Sequence, residues 1–326
     1  MKVLLCLNGE KDDNRFVLDR NGVLLRYALE SQNIEYTYDL KSDYDLVHLL
    51  SLNQYKAYLK NHHNKKKKVI LSTFNDYADF KVDQNEEGEM KLVFSKIFKK
   101  VDKIDTLLVN WYSQSLLLKH NDVPFNVEVV NIGTKDYSNE KYSKVEQEAF
   151  RKYYRIPNKH KIIFSYGEYA YSKGFDYLEA ISRIMPNYEF FFFGGKAGVL
   201  SNSKSYEKTN KINNLHYEDN IPAELYHSLL LNASALYLPY QFSTDSCIVL
   251  EAMKAKIPVI SAPNPIIFDL LVDKKTCLIG RNVEEWYQLL KNIDTNNCVQ
   301  SAYKFSKNYT IKKYGQSLLG VYKKLI

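Results

Sequence analysis

Short apolar runs alternate with segments of helical periodicity along most of the chain, and this alternation constrains the fold more than any other feature. A first series extends from Val3 to Gly133, and a second extends from Lys161 to Ala262. Strands that alternate with helices form parallel βαβ units, because each helix carries the chain back across the sheet. The sequence therefore predicts an α/β fold with two doubly wound, Rossmann-like sheets.

The two series are separated by residues 134–160, which are polar and rich in Lys, Tyr, Glu and Asn, as is typical of a domain junction. A chain of 326 residues also exceeds the usual size of one hydrophobic core. We predict an N-terminal domain over residues 1–145 and a C-terminal domain over residues 146–307. The cleft between two such domains is the default binding site.

The net charge and the absence of targeting signals limit the classes of binding partner and the cellular location that we expect. The net charge of +7 suits nucleic acid, anionic lipid or phosphorylated substrates alike. The lysines come without a base-stacking or helix-turn-helix pattern, so we expect no nucleic-acid binding. The N-terminal apolar run is too short for a secretory signal, and no segment approaches the ~18 apolar residues of a membrane span. Four cysteines without CxxC spacing are typical of reduced thiols. We expect a cytoplasmic protein that touches a membrane only from outside.

One segment suggests such a contact. On a helical wheel, residues 90–104 separate an apolar face from a basic face. The basic face comprises Lys96, Lys99, Lys100 and Lys103. The segment is either a domain helix with a solvated side or a helix that lies on an anionic membrane. The second reading, which the nearby Lys65–Lys68 run favours, assigns these lysines and Gly22, at the start of the first predicted helix, to the acceptor or membrane side.

Ligands of doubly wound sheets meet the carboxyl ends of the strands, where glycines admit a close backbone approach. The first such end in the second series is Gly167, followed six residues later by Lys173. This lysine either pairs with a phosphate or is an exposed loop residue. The second is Gly194-Gly195, where the backbone either passes close to a ligand or simply turns.

The third strand end leads into STDSCIVLEAMKAKIPVI, which begins at Ser243. Ser243 or Asp245 would cap the helix that follows, and the N–H groups of Ser246, Cys247 and Ile248 would then form an anion-binding start. Glu251 falls in the first or second turn. It is either a ligand for hydroxyl groups or a carboxylate placed favourably near a helix start.

These segments resemble a known family. KGFDYLEAISRI, PAELYHSLLLNASALYLPY and LEAMKAKIPVI, in this order, are similar to the C-terminal half of retaining GT-B glycosyltransferases of family four. YDLVHLL resembles that family's D-x-V-H strand, VVNIG its V-x-N-G, and the apolar-sided helix over residues 308–326 its return crossing to the first domain. In length and texture the chain is similar to small bacterial enzymes that add a second sugar to glucosyl diacylglycerol.

The resemblance implies a GT-B fold and a set of site residues. Glu251 occupies the second position of the family's Glu-x7-Glu pattern, whose carboxylate binds the ribose of a nucleotide sugar. Lys173 would bind the diphosphate, with help from the N–H groups of Ser246–Ile248. The family uses no metal and no resident cofactor, and the nucleotide sugar, here a UDP-sugar, is a co-substrate.

Three positions depart from the family pattern. Ser243 stands where the first Glu meets the sugar, with Asp245 as a stand-in two residues later. Glu168 stands where an Arg follows the strand-end glycine. Asn75 stands where many members have a His after the fourth strand. Ser243, Asp245, Asn75 and Lys173 are therefore the candidate catalytic residues.

The expected activity is the transfer of a hexose, with retention, from UDP-glucose or UDP-galactose to a lipid-borne acceptor such as glucosyl diacylglycerol. The enzyme would work at the inner face of the cell membrane, on an anionic surface. Two alternatives stay open. The chain is a catalytically inactive binding subunit of a partner enzyme, or it is a transferase that acts on a polysaccharide or protein.

Overall fold

The computed structural model describes most of the chain in sixteen stretches. They are residues 1–5, 20–50, 54–55, 58–59, 67–72, 80–84, 90–94, 104–120, 125–136, 143–167, 174–194, 212–218, 221–239, 247–264, 267–293 and 298–326. The chain divides into two compact units. The first holds Met1–Leu5, Asn21–Gly133 and Tyr309–Ile326, and the second holds Thr134–Asn308.

The first unit is built on a parallel six-stranded sheet of order β2-β1-β3-β4-β7-β8. The unit also contains a separate hairpin, β5–β6. In chain order, its strands and two of its helices are β1 (Lys2–Leu5), α1 (Arg20–Glu30), β2 (Glu35–Thr37), β3 (Leu46–Leu49), β4 (Lys68–Ser72), β5 (Phe80–Gln84), β6 (Met90–Phe94), β7 (Thr106–Val109), α2 (Tyr112–His120) and β8 (Asn126–Val129). Every residue of β3 and of β7 is buried. Such continuous burial is expected of parallel strands that are covered on both faces.

The second unit contains another parallel six-stranded sheet, of order β11-β10-β9-β12-β13-β14. Its elements are α3 (Lys144–Tyr153), β9 (Lys161–Tyr166), α4 (Phe175–Ile184), β10 (Tyr188–Phe193), β11 (Leu215–Glu218), α5 (Ala223–Asn232), β12 (Ala233–Leu238), α6 (Cys247–Lys254), β13 (Val259–Ser261), β14 (Leu278–Ile279), α7 (Val283–Lys291) and α8 (Cys298–Ser306). The strand order reverses between β9 and β12. In open α/β sheets, ligands bind at the carboxyl ends of the strands beside such a reversal.

The last helix, α9 (Ile311–Leu325), returns to the first unit, as predicted. The hydroxyl of Tyr322 lies 2.6 Å from Nδ1 of His48 on β3. Near the start of the helix, a Cβ at Gly133 would collide with the carbonyl group of Thr310, so only glycine fits this crossing. The sequence-based prediction of two Rossmann-like sheets with a returning C-terminal helix is therefore confirmed.

The prediction of a helix over residues 90–104 is wrong in its first part. Met90–Phe94 is the strand β6, which pairs antiparallel with β5. Phe80 lies opposite Phe94, and Val82 lies opposite Leu92. The apolar residues of this segment fit one face of a strand as well as one face of a short helix. The strand forms because the preceding segment FKVDQ provides the backbone hydrogen bonds of an antiparallel partner. Residues 95–103, with Lys96, Lys99, Lys100 and Lys103, lie outside the described residues.

The polar stretch predicted as a domain junction contains a helix, α3. Ser143 caps it, and Ser143 and Glu146 satisfy each other's backbone N–H groups in a capping box, with distances of 3.3 and 2.7 Å. The backbone N–H of Phe150 donates to Ser228 of α5 at 2.9 Å. Because α3 packs within the second unit, the compact units divide after Gly133 and not at residue 145.

Candidate active site

Two glycines end neighbouring strands at the carboxyl edge of the second sheet. Gly167 follows β9 and Gly194 follows β10, with φ angles of 147° and 155° that side chains rarely adopt. A Cβ at Gly194 would fall on the carbonyl oxygen of Gly167. The N–H of Gly167 donates to Phe193, and that of Gly194 donates to Glu218, both at 2.9 Å. The ends of these two strands are thus packed backbone against backbone, and both glycines are buried.

A third glycine lies where the strand order reverses. Gly174 precedes α4 with a φ of 66°, and a Cβ there would collide with the carbonyl oxygen of Pro239 at the end of β12. Gly174 is therefore in close contact with the end of β12, at the position where doubly wound sheets bind their ligands. Lys173 immediately precedes this contact in the sequence, but it lies outside the described residues.

Helix α6 follows β12 and begins at Cys247, close to the start predicted from the sequence. All eight of its residues are buried. The N–H groups of Cys247 and Ile248 belong to the first turn, where helical N–H groups lack intrahelical acceptors and carry partial positive charge. This end of the helix can therefore stabilise an anion.

The carboxylate of Glu251 lies in the second turn of α6 and is 0% exposed. The hydroxyl of Tyr226 on α5 donates to its Oε2 atom at 2.6 Å. This short hydrogen bond fixes the orientation of the carboxyl group. The predicted contact between Glu251 and a ribose would have to use an enclosed side chain, and it stays a prediction.

A second charged residue lies in the same helix, three positions further. Lys254 is 1% exposed, and its ammonium donates to the carbonyl of Thr134 at 2.5 Å. Burial lowers the pKa of Lys254 to about 8, although the negative charges of Glu251 and Asp136 act in the opposite direction. Sequence reasoning missed both Tyr226 and Lys254. A lysine in the same apolar run as Glu251 was the available signal for Lys254.

Most of the other predicted site residues lie outside the described part of the chain, so their roles stay predictions. They are Asn75, Lys173, Gly195, Ser243, Asp245 and Ser246. Gly22 is described: it is a buried residue in the first turn of α1. Among the described residues, no His, Cys, Asp and Glu side chains form a group of three or more that could hold a metal ion. Within the same residues, no helix combines the length and apolar character that a membrane span requires.

Comparison with solved structures identifies the architecture. The chain superposes on Anabaena Alr3699/HepE, solved with UDP and glucose, with a TM-score of 0.72 at 12% identity and 99% coverage of both chains. It superposes on sucrose-phosphate synthase from Thermosynechococcus elongatus with a TM-score of 0.69 at 12% identity, covering 93% of this chain and 78% of the other. The fold is therefore that of the GT-B glycosyltransferases.

Sequence comparison gives the family. The sequence model described as glycosyl transferases group 1 matches residues 146–310, half of the chain. The chain belongs to this family. It is also 26% identical to the processive diacylglycerol alpha-glucosyltransferase of Acholeplasma laidlawii over 335 aligned positions, covering 100% of this chain and 99% of that protein.

Proposed function

We propose that the protein transfers a hexose from UDP-glucose or UDP-galactose to a lipid-borne acceptor such as glucosyl diacylglycerol, with retention of configuration. The observation that carries this proposal is the contact between Gly174 and Pro239. It places the start of α4 against the end of β12, the strand that precedes α6 in the sequence, at the reversal point of the second sheet. Such sheets bind a diphosphate through a close backbone approach and a helix N-terminus.

The donor would bind at this edge of the second unit. The diphosphate would lie at the start of α6, near the N–H groups of Cys247 and Ile248, with Lys173 as its counter-charge. Glu251 would accept hydrogen bonds from the ribose hydroxyls. When the bond between the sugar and the diphosphate breaks, the departing UDP carries growing negative charge, which the lysine and the helix dipole stabilise without a metal.

The nature of the acceptor is supported by the full-length similarity to an enzyme whose name specifies diacylglycerol as the acceptor. An acceptor of this kind stays in the membrane, so the enzyme must work at the membrane surface. We place it at the inner, anionic face, with Gly22 and the lysines at positions 96, 99, 100 and 103 on the acceptor side. The positive charge of these four lysines would attract anionic headgroups.

A donor and acceptor screen tests the proposal. UDP-glucose, UDP-galactose and GDP-sugars are incubated with diacylglycerol or glucosyl diacylglycerol in mixed micelles, and the anomeric configuration of the product is read by NMR. A lipid product with the configuration of the donor supports the proposal. Binding of UDP-glucose without turnover on any acceptor would favour the inactive binding subunit. Sugar transfer only to a polysaccharide or protein would show that the acceptor is not a lipid.

Sedimentation with liposomes tests the membrane part. We expect more protein to sediment with anionic than with neutral vesicles, and we expect Lys→Gln changes at positions 96, 99, 100 and 103 to abolish the difference. The matched control changes four exposed lysines of the second unit by the same charge: Lys144, Lys159, Lys291 and Lys304. Equal sedimentation on both lipid types, or equal loss in both variants, would contradict this assignment.

A further inference from the structure

Two oppositely charged side chains are enclosed on one buried helix. Glu251 and Lys254 are three positions apart on α6, so their side chains lie on the same side of the helix. Glu251 is 0% exposed and Lys254 is 1% exposed. Charges of this kind are almost never fully buried unless each compensates another. The burial of this pair therefore requires an explanation, whereas a charged lysine that is exposed to water requires none.

The surroundings hold both groups in defined positions. The hydroxyl of Tyr226 fixes Oε2 of Glu251 at 2.6 Å, and the carbonyl of Thr134 fixes the ammonium of Lys254 at 2.5 Å. The described ionisable groups that act on the ammonium are Glu251 on its own helix and Asp136 beyond Thr134. Lys307, which follows α8, acts in turn on Asp136.

The ammonium has a direct physical effect on the carboxylate. An enclosed carboxyl group favours its neutral form, whereas a positive charge nearby favours the ionised form. Removing one partner of such a pair leaves an uncompensated charge, and the remaining group then takes up or loses a proton. A neutral Glu251 would carry one O–H donor and have less acceptor capacity, so it would accept fewer hydrogen bonds from the hydroxyl groups of a ribose.

We propose that Lys254 is a positioning residue of the donor site, which keeps Glu251 ionised and oriented as an acceptor for the donor's ribose. This inference rests on the proposed function, because it assumes that Glu251 binds the nucleotide sugar. Lys254 itself touches no substrate. Its bond to Thr134 holds the ammonium in place at the end of α6, where the helix dipole also favours a positive charge.

The test is the pH dependence of donor affinity, measured by calorimetry with UDP-glucose in the absence of acceptor. The wild type should bind with nearly constant affinity between about pH 5 and pH 7, because Lys254, with a pKa of about 8, keeps its charge there. In Lys254→Met the nearby positive charge is absent, so we expect the affinity to fall as the pH is lowered across this range. Lys304→Met, which removes an exposed lysine, should keep the flat profile of the wild type.

A double-mutant cycle separates this role from a purely structural one. In the Glu251→Gln background, which has no carboxylate to ionise, Lys254→Met should change neither the affinity nor its pH profile. Thermal unfolding of each variant shows whether it is folded. If Lys254→Met does not fold, the pair variant Glu251→Gln/Lys254→Met should fold, because it leaves no uncompensated charge. Failure of both to fold would overturn the inference.

The outcomes also separate this inference from the proposed function. If the wild type does not bind UDP-glucose, or if Glu251→Gln leaves the affinity unchanged, the assignment of the donor site fails. If the wild type binds through Glu251 but Lys254→Met keeps a flat pH profile, the donor site stands and the role of Lys254 is refuted.

Discussion

Acid should destabilise the protein through one buried histidine. His48 on β3 is 0% exposed, with Nδ1 2.6 Å from the hydroxyl of Tyr322 and Nε2 2.6 Å from the hydroxyl of Ser72. A neutral imidazole provides one donor and one acceptor, which these two hydroxyls can satisfy. Burial lowers the pKa of His48 to about 3 from its ordinary value of 6.5.

The sign and size of the effect follow from these two values. Between pH 6.5 and about 3 the unfolded chain binds a proton at His48 and the folded chain does not, so the free energy of unfolding falls as the pH falls. One unit of pH corresponds to about 1.4 kcal/mol over this window. At pH 4, His48 alone should therefore remove about 3 kcal/mol of stability.

Urea unfolding at pH 7 and at pH 4 measures this loss. Other titrating groups also contribute, so the relevant quantity is the difference between the wild type and His48→Gln, which cannot take up this proton. We expect the variant to lose about 3 kcal/mol less than the wild type between the two pH values. His120→Gln removes an exposed histidine of the same unit and should behave like the wild type. An equal acid loss in the wild type and in His48→Gln would refute the reasoning.

Three further predictions concern the second unit. Gly194→Ala should destabilise it by about 3 kcal/mol or more, because the new Cβ collides with Gly167 at a φ that alanine avoids; an unchanged urea midpoint would contradict this. Tyr226→Phe should cost about 1.5–3 kcal/mol in stability by removing a hydrogen bond to the carboxylate of Glu251, and wild-type stability in this variant would show that the bond is worth little. Ser143→Ala should cost about 1 kcal/mol through the lost helix cap, measured in the same assay, where a stability gain would disprove the capping role.

The sequence predicted most of the fold because its signals are local. A run such as YEFFFFGG predicts both a strand and the residue at which the strand ends. The strand ends just before Gly194, where no side chain would fit. The hairpin β5–β6 was missed because residues 90–94 satisfy two periodicities at once. Only the pairing with residues 80–84 decides between them, and a helical wheel does not include that pairing.

The site could be predicted only in part, for a related reason. Glu251 was identified because its segment resembles a family motif. Tyr226 and Lys254 were missed because their roles depend on packing between elements and on the carbonyl of Thr134, 120 positions from Lys254. A lysine near the end of a helix is usually exposed, and its position in an apolar run with Glu251 does not by itself show that the side chain is enclosed.

The return of α9 to the first unit determines the order in which the protein can be completed during translation. The ribosome must finish the whole second unit before it produces the residues that cover His48. The second unit can therefore fold on the nascent chain while the first unit still lacks a helix. Although it is synthesised first, the N-terminal unit reaches its native structure last, because its final helix is the last part to be made.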